Sequence, residues 1–203
     1  EILRCLVGSE MCIRDRYSTT PINDYDCSVG YRAKLGNDYG FITAGHCFNS
    51  SSTMTSGVGS VKSNKLSNGI DAAFVKTNSG YSVENKVYAS GGKTTKLNTL
   101  AVCPFLGKGA IIAKSGRSTG YSEGKVTYAT FQAVDNGVVM KHLVGTNANA
   151  YFGDSGAPVY IPTTSSSGAT LAGVLRGGQP NTDYTMIFTK EDQIAAAIGY
   201  SRY

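Results

Sequence analysis

The stretch Tyr151-Phe152-Gly153-Asp154-Ser155-Gly156-Ala157-Pro158-Val159-Tyr160 sets one serine between two glycines, behind an acid, and runs straight into an apolar segment. Ser155 reads as a nucleophile. A serine hydroxyl attacks poorly at neutral pH, so it needs a general base to take its proton and donors to hold the oxyanion that forms. Gly153 suits the second of these needs, because without a Cβ it adopts backbone angles that other residues avoid, turning its N–H and that of Ser155 toward one point. A Gly-Asp-Ser-Gly string is also a common tight turn ahead of a strand, so the rest of the chain has to decide.

A base is offered upstream by Gly40-Phe-Ile-Thr-Ala-Gly-His-Cys-Phe48, where an apolar strand ends in small residues and presents His46. The chain has two histidines. The other, His142, lies in Gly137-Val-Val-Met-Lys-His-Leu-Val144, which alternates like an ordinary strand and lacks a small-residue turn, so it reads as structural or exposed.

Thr43-Ala-Gly-His-Cys47 and Gly153-Asp-Ser-Gly156 resemble the two signature segments of the chymotrypsin-like serine peptidases. The Ala-Gly-His form is similar to the bacterial secreted branch of streptogrisins and α-lytic-type proteases. A third segment, Lys114-Ser-Gly-Arg-Ser-Thr-Gly-Tyr121 followed by Gly124-Lys-Val126, is similar to that branch's own Ser-Gly-Arg-Thr-Thr-Gly stretch. The resemblance runs from Cys27 to Tyr200. It implies two packed antiparallel β-barrels with the active site in the cleft between them.

The residues themselves also point to an all-β protein. Short runs of β-branched and aromatic residues recur between Gly and Asn turns: Ser28 to Leu35, Tyr39 to Ala44, Ala72 to Lys76, Lys125 to Ala133, Val138 to Val144, Ala157 to Ile161, Leu171 to Leu175 and Tyr184 to Phe188. One short C-terminal helix is expected over Lys190 to Ile198, with Thr189 as N-cap, acids in its first turn and Gly199 as its stop. Residues 17–100 are expected to form the N-terminal barrel, and residues 101–203 the C-terminal barrel and helix.

Residues 1–16 stand apart, with two cysteines and three arginines but neither a strand period nor the long apolar run of a signal peptide. Cys5-Leu-Val-Gly-Ser-Glu-Met-Cys-Ile-Arg-Asp15 looks like translated adapter sequence, and the composition changes abruptly at Tyr17. The segment is therefore set outside the domain as non-native. The family implies a signal peptide and pro-segment, which would lie upstream.

The formal charge of +5 comes from singly scattered basic residues, without the clustering with aromatics that marks a nucleic-acid groove. No apolar run approaches the length needed to span a bilayer. The expected partners are protein or peptide substrates, with no nucleic acid and no membrane, and the chain is expected to act as a monomer. With one histidine used by the site, no zinc-like ligand cluster is left, so neither metal nor cofactor is expected.

Within the family the cysteine after the catalytic His pairs with one upstream, and Cys27 fits as the partner of Cys47. Such a bond implies an oxidising compartment and a secreted protein. Ala113 and Glu123 stand where the branch carries a second disulfide, and no cysteine flanks Gly153 for a third. Cys103 is left over and reads as a buried small hydrophobe.

A third catalytic member should be a carboxylate that holds the imidazole in the accepting tautomer, and in this order of elements it falls between the His and the Ser. Asp71 in Asn68-Gly-Ile-Asp-Ala-Ala-Phe-Val75 opens an apolar strand and matches the family's Asp-x-Ala/Gly-x-Val setting. Glu84 and Asp135 lie in the same window, but in polar loop-like sequence. For Asp154, bacterial relatives use an internal Arg just before the Ser-Gly-Arg stretch. Lys114 stands there and is taken as the ion-pair partner, with Arg117 second.

Gly173-Val-Leu-Arg-Gly-Gly178 resembles the family's substrate-channel strand, Gly-Val-x-Ser-Gly-Gly, with Arg176 in place of a Ser that usually supports the catalytic Asp. The expected substrate-binding residues are Asn149, Ala150, Arg176, Gly177 and Gly178, the last two letting a peptide lie alongside as an extra strand. The pocket for the side chain before the cleaved bond is expected from Thr146 to Phe152 and from Arg176 to Tyr184. It favours neutral or apolar groups, with Asp183 able to reach in.

Together these residues predict a secreted serine endopeptidase with a His46, Asp71, Ser155 triad and an oxyanion hole from the Gly153 and Ser155 N–H groups. The alternative is a catalytically inactive module of the same fold that binds proteins.

Overall fold

The strand Gly120–Asp135 buries little beyond one alternating face, whereas Asp38–Thr43, Ile111–Gly116, Pro158–Ile161 and Ala169–Gly178 are buried on both faces over several consecutive residues, and Gly- and Asn-containing turns fold strands back as antiparallel ladders. The computed structural model describes residues 4–7, 10–12, 27–48, 58–98, 101, 103, 105–163, 168–178 and 184–203. Its first half holds β1 (Arg4–Val7), β2 (Glu10–Cys12), β3 (Tyr31–Leu35), β4 (Asp38–Thr43), β5 (Gly59–Asn64), β6 (Ala73–Thr77), β7 (Tyr81–Val83), β8 (Lys86–Tyr88) and β9 (Thr94–Asn98). The first barrel is built on the antiparallel sheet β3-β4-β6-β5, with Tyr31 opposite Ile42 and Ile42 opposite Phe74. Tyr31, Ala33, Phe41, Ile42, Phe74 and Val75 are buried between its layers, each large side chain contributing roughly 1.5–3 kcal/mol by leaving water.

The second half holds β10 (Ile111–Gly116), β11 (Gly120–Asp135), β12 (Val138–Thr146), β13 (Pro158–Ile161), β14 (Ala169–Gly178) and β15 (Met186–Lys190). They pair in the order β13-β10-β11-β12-β15-β14, and β14 pairs back onto β13, closing a six-stranded antiparallel barrel. Ile112, Val126, Val144, Val159, Leu175, Met186 and Phe188 form one continuous core. The all-β fold with two packed barrels and a short C-terminal helix is the architecture expected.

Five strands from Gly59 onward lie outside the expected runs: β5, β7, β8, β9 and β10. Their sequences explain why. β5 reads Gly-Ser-Val-Lys-Ser-Asn, with one large apolar residue, and β10 carries Lys114 and Ser115, two polar residues that are fully buried, just before its last residue Gly116. β9 pairs in parallel with β14 through Leu97 and Ala169, joining a segment from the first half to the second sheet. Within residues 1–16, β1 pairs antiparallel with β2 and parallel with β7, Arg4 lying opposite Tyr81. Tyr17, where the composition changes, lies outside the described residues.

The helix, α1 (Glu191–Ile198), starts one residue later than expected. Lys190 occupies its N-cap position. Thr189, expected to cap it, is instead held in β15 opposite Val174 and Leu143, because ladder pairing on both sides takes its backbone. Gly199, at φ 78°, ends the helix with its N–H bonded to Ala195 O at 2.8 Å. Buried Glu191 accepts the Tyr200 hydroxyl at 2.6 Å and Arg202 Nη1 at 3.1 Å. The Tyr200 hydroxyl also lies 2.6 Å from that of Tyr31, so the C-terminal segment is fastened to the first barrel. Among the described residues no helix is long and apolar enough to cross a membrane.

Cys27 and Cys47 form a disulfide. It closes a 20-residue separation that contains β3 and β4 and ends beside His46. Replacing both cysteines by serine is expected to lower stability by about 3 kcal/mol on the loop-entropy scale, measured by guanidinium unfolding against the oxidised protein.

Candidate active site

At the end of β4 the small residues Ala44 and Gly45 lead into a 3-10 turn, Gly45–Cys47, which holds His46 between a buried glycine and the disulfide. Asn64 of β5 braces this turn, donating Nδ2 to Gly45 O at 2.9 Å. Asp71 sits between the 3-10 turn Leu66–Asn68 and β6, and is fully buried. Its carboxylate accepts two hydrogen bonds from His46, from the backbone N–H to Oδ1 at 2.9 Å and from Nδ1 to Oδ2 at 2.7 Å. The second bond places the ring proton on Nδ1 and leaves Nε2 as a lone-pair base. Burial alone would raise the Asp71 carboxyl, but the charge and hydrogen bonds of His46, with the nearby Arg176 guanidinium, hold it below the ordinary carboxylate range.

Ser155 lies between the turn that follows Tyr151 and β13. Its hydroxyl donates to the carbonyl of Arg176 at 3.0 Å, and among the described residues no hydrogen bond joins it to His46. Gly153 adopts φ 94°, a left-handed conformation that strains any residue with a Cβ. Among the described residues, the N–H groups of Gly153 and Ser155 have no acceptor, whereas those of Asp154, Gly156 and Ala157 bond Tyr151 O, Leu175 O and Asp154 O. Two free donors two residues apart are what an oxyanion hole requires.

Asp154 is buried, and five donors surround it. Lys114 Nζ, Thr119 Oγ1 and Tyr151 N donate to Oδ2 at 2.8, 2.6 and 3.1 Å, and Ser118 N and Thr119 N to Oδ1 at 2.8 and 3.1 Å. Lys114, itself fully buried, also donates to Thr119 Oγ1. Burial pushes the Asp154 carboxyl up, but these hydrogen bonds outweigh it and hold the group below its ordinary value. Arg117 contributes its backbone instead, donating N–H to Ser28 Oγ at 2.9 Å.

Ser28 is a site residue that no sequence pattern singles out. Its N–H bonds Ser155 O at 2.7 Å, its hydroxyl bonds Gly153 O at 2.8 Å, and its carbonyl accepts Thr43 Oγ1 at 2.9 Å. It thus ties the serine loop to the strand that leads to His46. The only signal for it is its place beside Cys27.

The expected substrate-binding residues are also located. Gly178 and Ala150 face each other so closely that a Cβ on Gly178 would lie 2.4 Å from Ala150 O. The Asn149 carbonyl is held by Ser122 Oγ at 2.5 Å. Arg176 contributes its carbonyl beside Ser155, while its side chain runs to Asp71 and Asp135. Asp183 lies outside the described residues. Tyr151 and Phe152 stand exposed immediately before Gly153, their rings edge to face at 5.5 Å.

Cys27, His46 and Cys47 bring ligand atoms within 4.8 Å of one another, but both sulfurs are in the disulfide and neither is a thiolate available to a metal. Burial pushes the Cys103 thiol up to about 11, which suits an inert packed cysteine rather than a nucleophile.

Comparison with known proteins gives a consistent picture. The chain is 31% identical over 161 residues to streptogrisin-C of Streptomyces griseus, covering 76% of this chain and 33% of that protein. It is 28% identical over 157 residues to streptogrisin-A of the same organism, covering 76% of this chain and 48% of that one. It therefore spans half or less of the length of these relatives. Among solved structures it is similar to Thermobifida fusca protease A, with a TM-score of 0.73 and 26% identity over 89% of this chain and 92% of that one. It is also similar to a Cellulomonas bogoriensis chymotrypsin, with a TM-score of 0.71 and 28% identity over 88% and 91%. No family model matches the chain.

Two measurements test the buried pair behind Ser155. Lys114→Met leaves Asp154 buried without its cation and is expected to cost about 3–5 kcal/mol in urea unfolding. The folded-state carboxyl of Asp154 is lowered, so its contribution to stability is complete above its ordinary value of 3.8 and is lost as pH falls through that value toward the folded one. Urea stability should therefore fall below about pH 4, and fall less steeply in Asp154→Asn.

Proposed function

Because the chain belongs to the chymotrypsin-like serine peptidases, in the bacterial branch that includes the streptogrisins, we propose that it hydrolyses peptide bonds in proteins or peptides, with His46, Asp71 and Ser155 as its triad. The observation that carries this reading is the doubled contact of Asp71 with both the backbone and the ring of His46. It fixes the imidazole's tautomer and direction before any substrate arrives.

In this mechanism a rotation about the Cα–Cβ bond of Ser155 takes its hydroxyl from Arg176 O to His46 Nε2, which accepts the proton as Oγ attacks the peptide carbonyl. The carbonyl π pair moves to oxygen, and the N–H groups of Gly153 and Ser155 hold that oxyanion. Collapse of the tetrahedral adduct breaks the C–N bond, and His46 returns the proton to the leaving amine. Water then attacks the acyl-enzyme by the same route, releasing the acid and restoring Ser155. Asp71 stays ionised throughout and balances the imidazolium. The substrate chain lies along the end of β14 at Gly177 and Gly178 as an added strand, beside Asn149 and Ala150.

The disulfide supports action in an oxidising compartment, outside the cell. Asn149, Ala150, Gly177 and Gly178 carry no charged side chain, which supports a neutral or apolar residue before the cleaved bond.

The test is labelling with a fluorophosphonate and mapping of the adduct by mass spectrometry. Attachment at Ser155, abolished in Ser155→Ala and reduced by at least about 10³-fold in rate in His46→Ala, is the expected result. Asp71→Asn should retain the fold and lose on the order of 10⁴-fold in peptide turnover. A folded wild type that takes no label anywhere would overturn the peptidase reading in favour of an inactive binding module.

A further inference from the structure

Arg176 occupies an unusual place in the ladder. In β14, Leu175 lies opposite Phe188 and Gly177 opposite Ile187, so Arg176 is the extra residue of a β-bulge. A bulge re-aims the residue it inserts. Here the carbonyl of Arg176 faces the Ser155 hydroxyl, and the side chain runs to two acids. Nη2 is ion-paired with Asp135 at the end of β11, and Nε lies 3.4 Å from Asp71 Oδ2. The guanidinium is mostly covered, and Nε is buried without a hydrogen bond, so it acts on Asp71 by charge. Asp135 is about half exposed and holds the far end.

We propose that Arg176 is a positioning residue of the hydrolytic site, held by Asp135 with its cation against Asp71, and that it sets the acid limit of activity by weakening the attraction of Asp71 for a protonated His46. The inference rests on the triad reading above. When His46 takes the serine proton it becomes a cation facing Asp71. A permanent positive charge beside Oδ2, the same oxygen that accepts from His46 Nδ1, shares its charge and repels the imidazolium. The consequence is a base that stays available for attack at lower pH, with a weaker electrostatic reward in the transition state. A serine at this position has no charge to exert either effect.

The groups that set this balance are few. Among the described residues, the charged groups facing Asp71 are His46 from the turn after β4 and Arg176 from β14, with Asp135 behind Arg176 at the β11 end. On β12, Lys141 brings its aliphatic stem beside Gly69, two residues before Asp71. Arg176 is therefore the cation in direct ionic contact with the carboxylate that orients the base.

The test compares wild type, Arg176→Ser and Arg176→Lys. Removing the cation is expected to move the acid limb of kcat/KM, and of the rate of fluorophosphonate labelling, upward by about one pH unit. Plateau kcat should rise, because Asp71 then holds the imidazolium more strongly in the transition state. Arg176→Lys should return the limb at least halfway. The low-field proton resonance of His46 Nδ1, bonded to Asp71, should move further downfield in Arg176→Ser as the carboxylate becomes a stronger acceptor. That resonance needs no turnover, so it tests the contact even if the hydrolytic reading fails. Superimposable pH limbs and an unmoved resonance in Arg176→Ser, with only a lowered Tm, would overturn the proposal and leave Arg176 a structural tie.

Discussion

A buried carboxylate, Asp154, next to the proposed nucleophile Ser155 is the constraint on which the site depends. Asp154 is shut off from bulk solvent, so the surrounding chain must supply both charge and hydrogen bonds, and it does so from three separate segments. Lys114 comes from β10, Ser118 and Thr119 from the turn after it, and Tyr151 from the loop itself. Each donor fixes one edge of the loop that carries Gly153 and Ser155. The positive φ of Gly153 and its free N–H follow from that anchoring. The lysine lacks the two-pronged geometry of an arginine, and the Thr119 hydroxyl fills the difference by accepting from Lys114 and donating to Asp154.

The second half of the site is made where the barrels meet. Ser28, next to the disulfide, bonds both carbonyls that flank Asp154, those of Gly153 and Ser155, and receives the Thr43 hydroxyl from the strand leading to His46. The proposed base, His46, and the proposed nucleophile, Ser155, lie in different halves of the chain, so their separation is set by these few bonds rather than by either sheet. Tyr31 and Tyr200 make a comparable tie at the start of β3, three residues after Ser28. The register of the reacting atoms is thus a property of the seam between two cores.

Much of this is legible in sequence where chemistry and local pattern coincide. A serine between glycines, a histidine after an apolar strand and an acid before one are each local patterns, and Lys114 is marked by the recognisable stretch it stands beside. The rest is what local pattern cannot carry. β10 presents polar residues, Lys114 and Ser115, that become buried only when the neighbouring strand arrives, and β5 is mostly polar and only partly covered. Thr189 has a good capping side chain, yet lies in a ladder with partners on both sides. Ser28 has no motif at all. Asp135 has the surroundings of a loop acid in sequence and gives no sign of a link to the site. It sits at the end of the long β11, 41 residues from Arg176 in sequence, and its role depends on where β12 and β14 bring it.

The two buried acids of the site are stabilised in different ways, and the difference has a functional logic. Asp154 is saturated by fixed donors and does not change during the proposed reaction, so tight pairing with Lys114 serves it. In the proposed reaction Asp71 responds to a charge that appears and disappears on His46. A cation as close to it as Lys114 is to Asp154 would weaken the interaction that orients the base. Arg176 stops at 3.4 Å without a hydrogen bond from Nε, and makes its firm contact with Asp135 instead. The bulge in β14 makes that compromise possible, since a regular strand would send the side chain of residue 176 to one face of the sheet or the other. A single inserted residue thus supplies the carbonyl that receives the resting Ser155 hydroxyl and a charge partly withheld from Asp71.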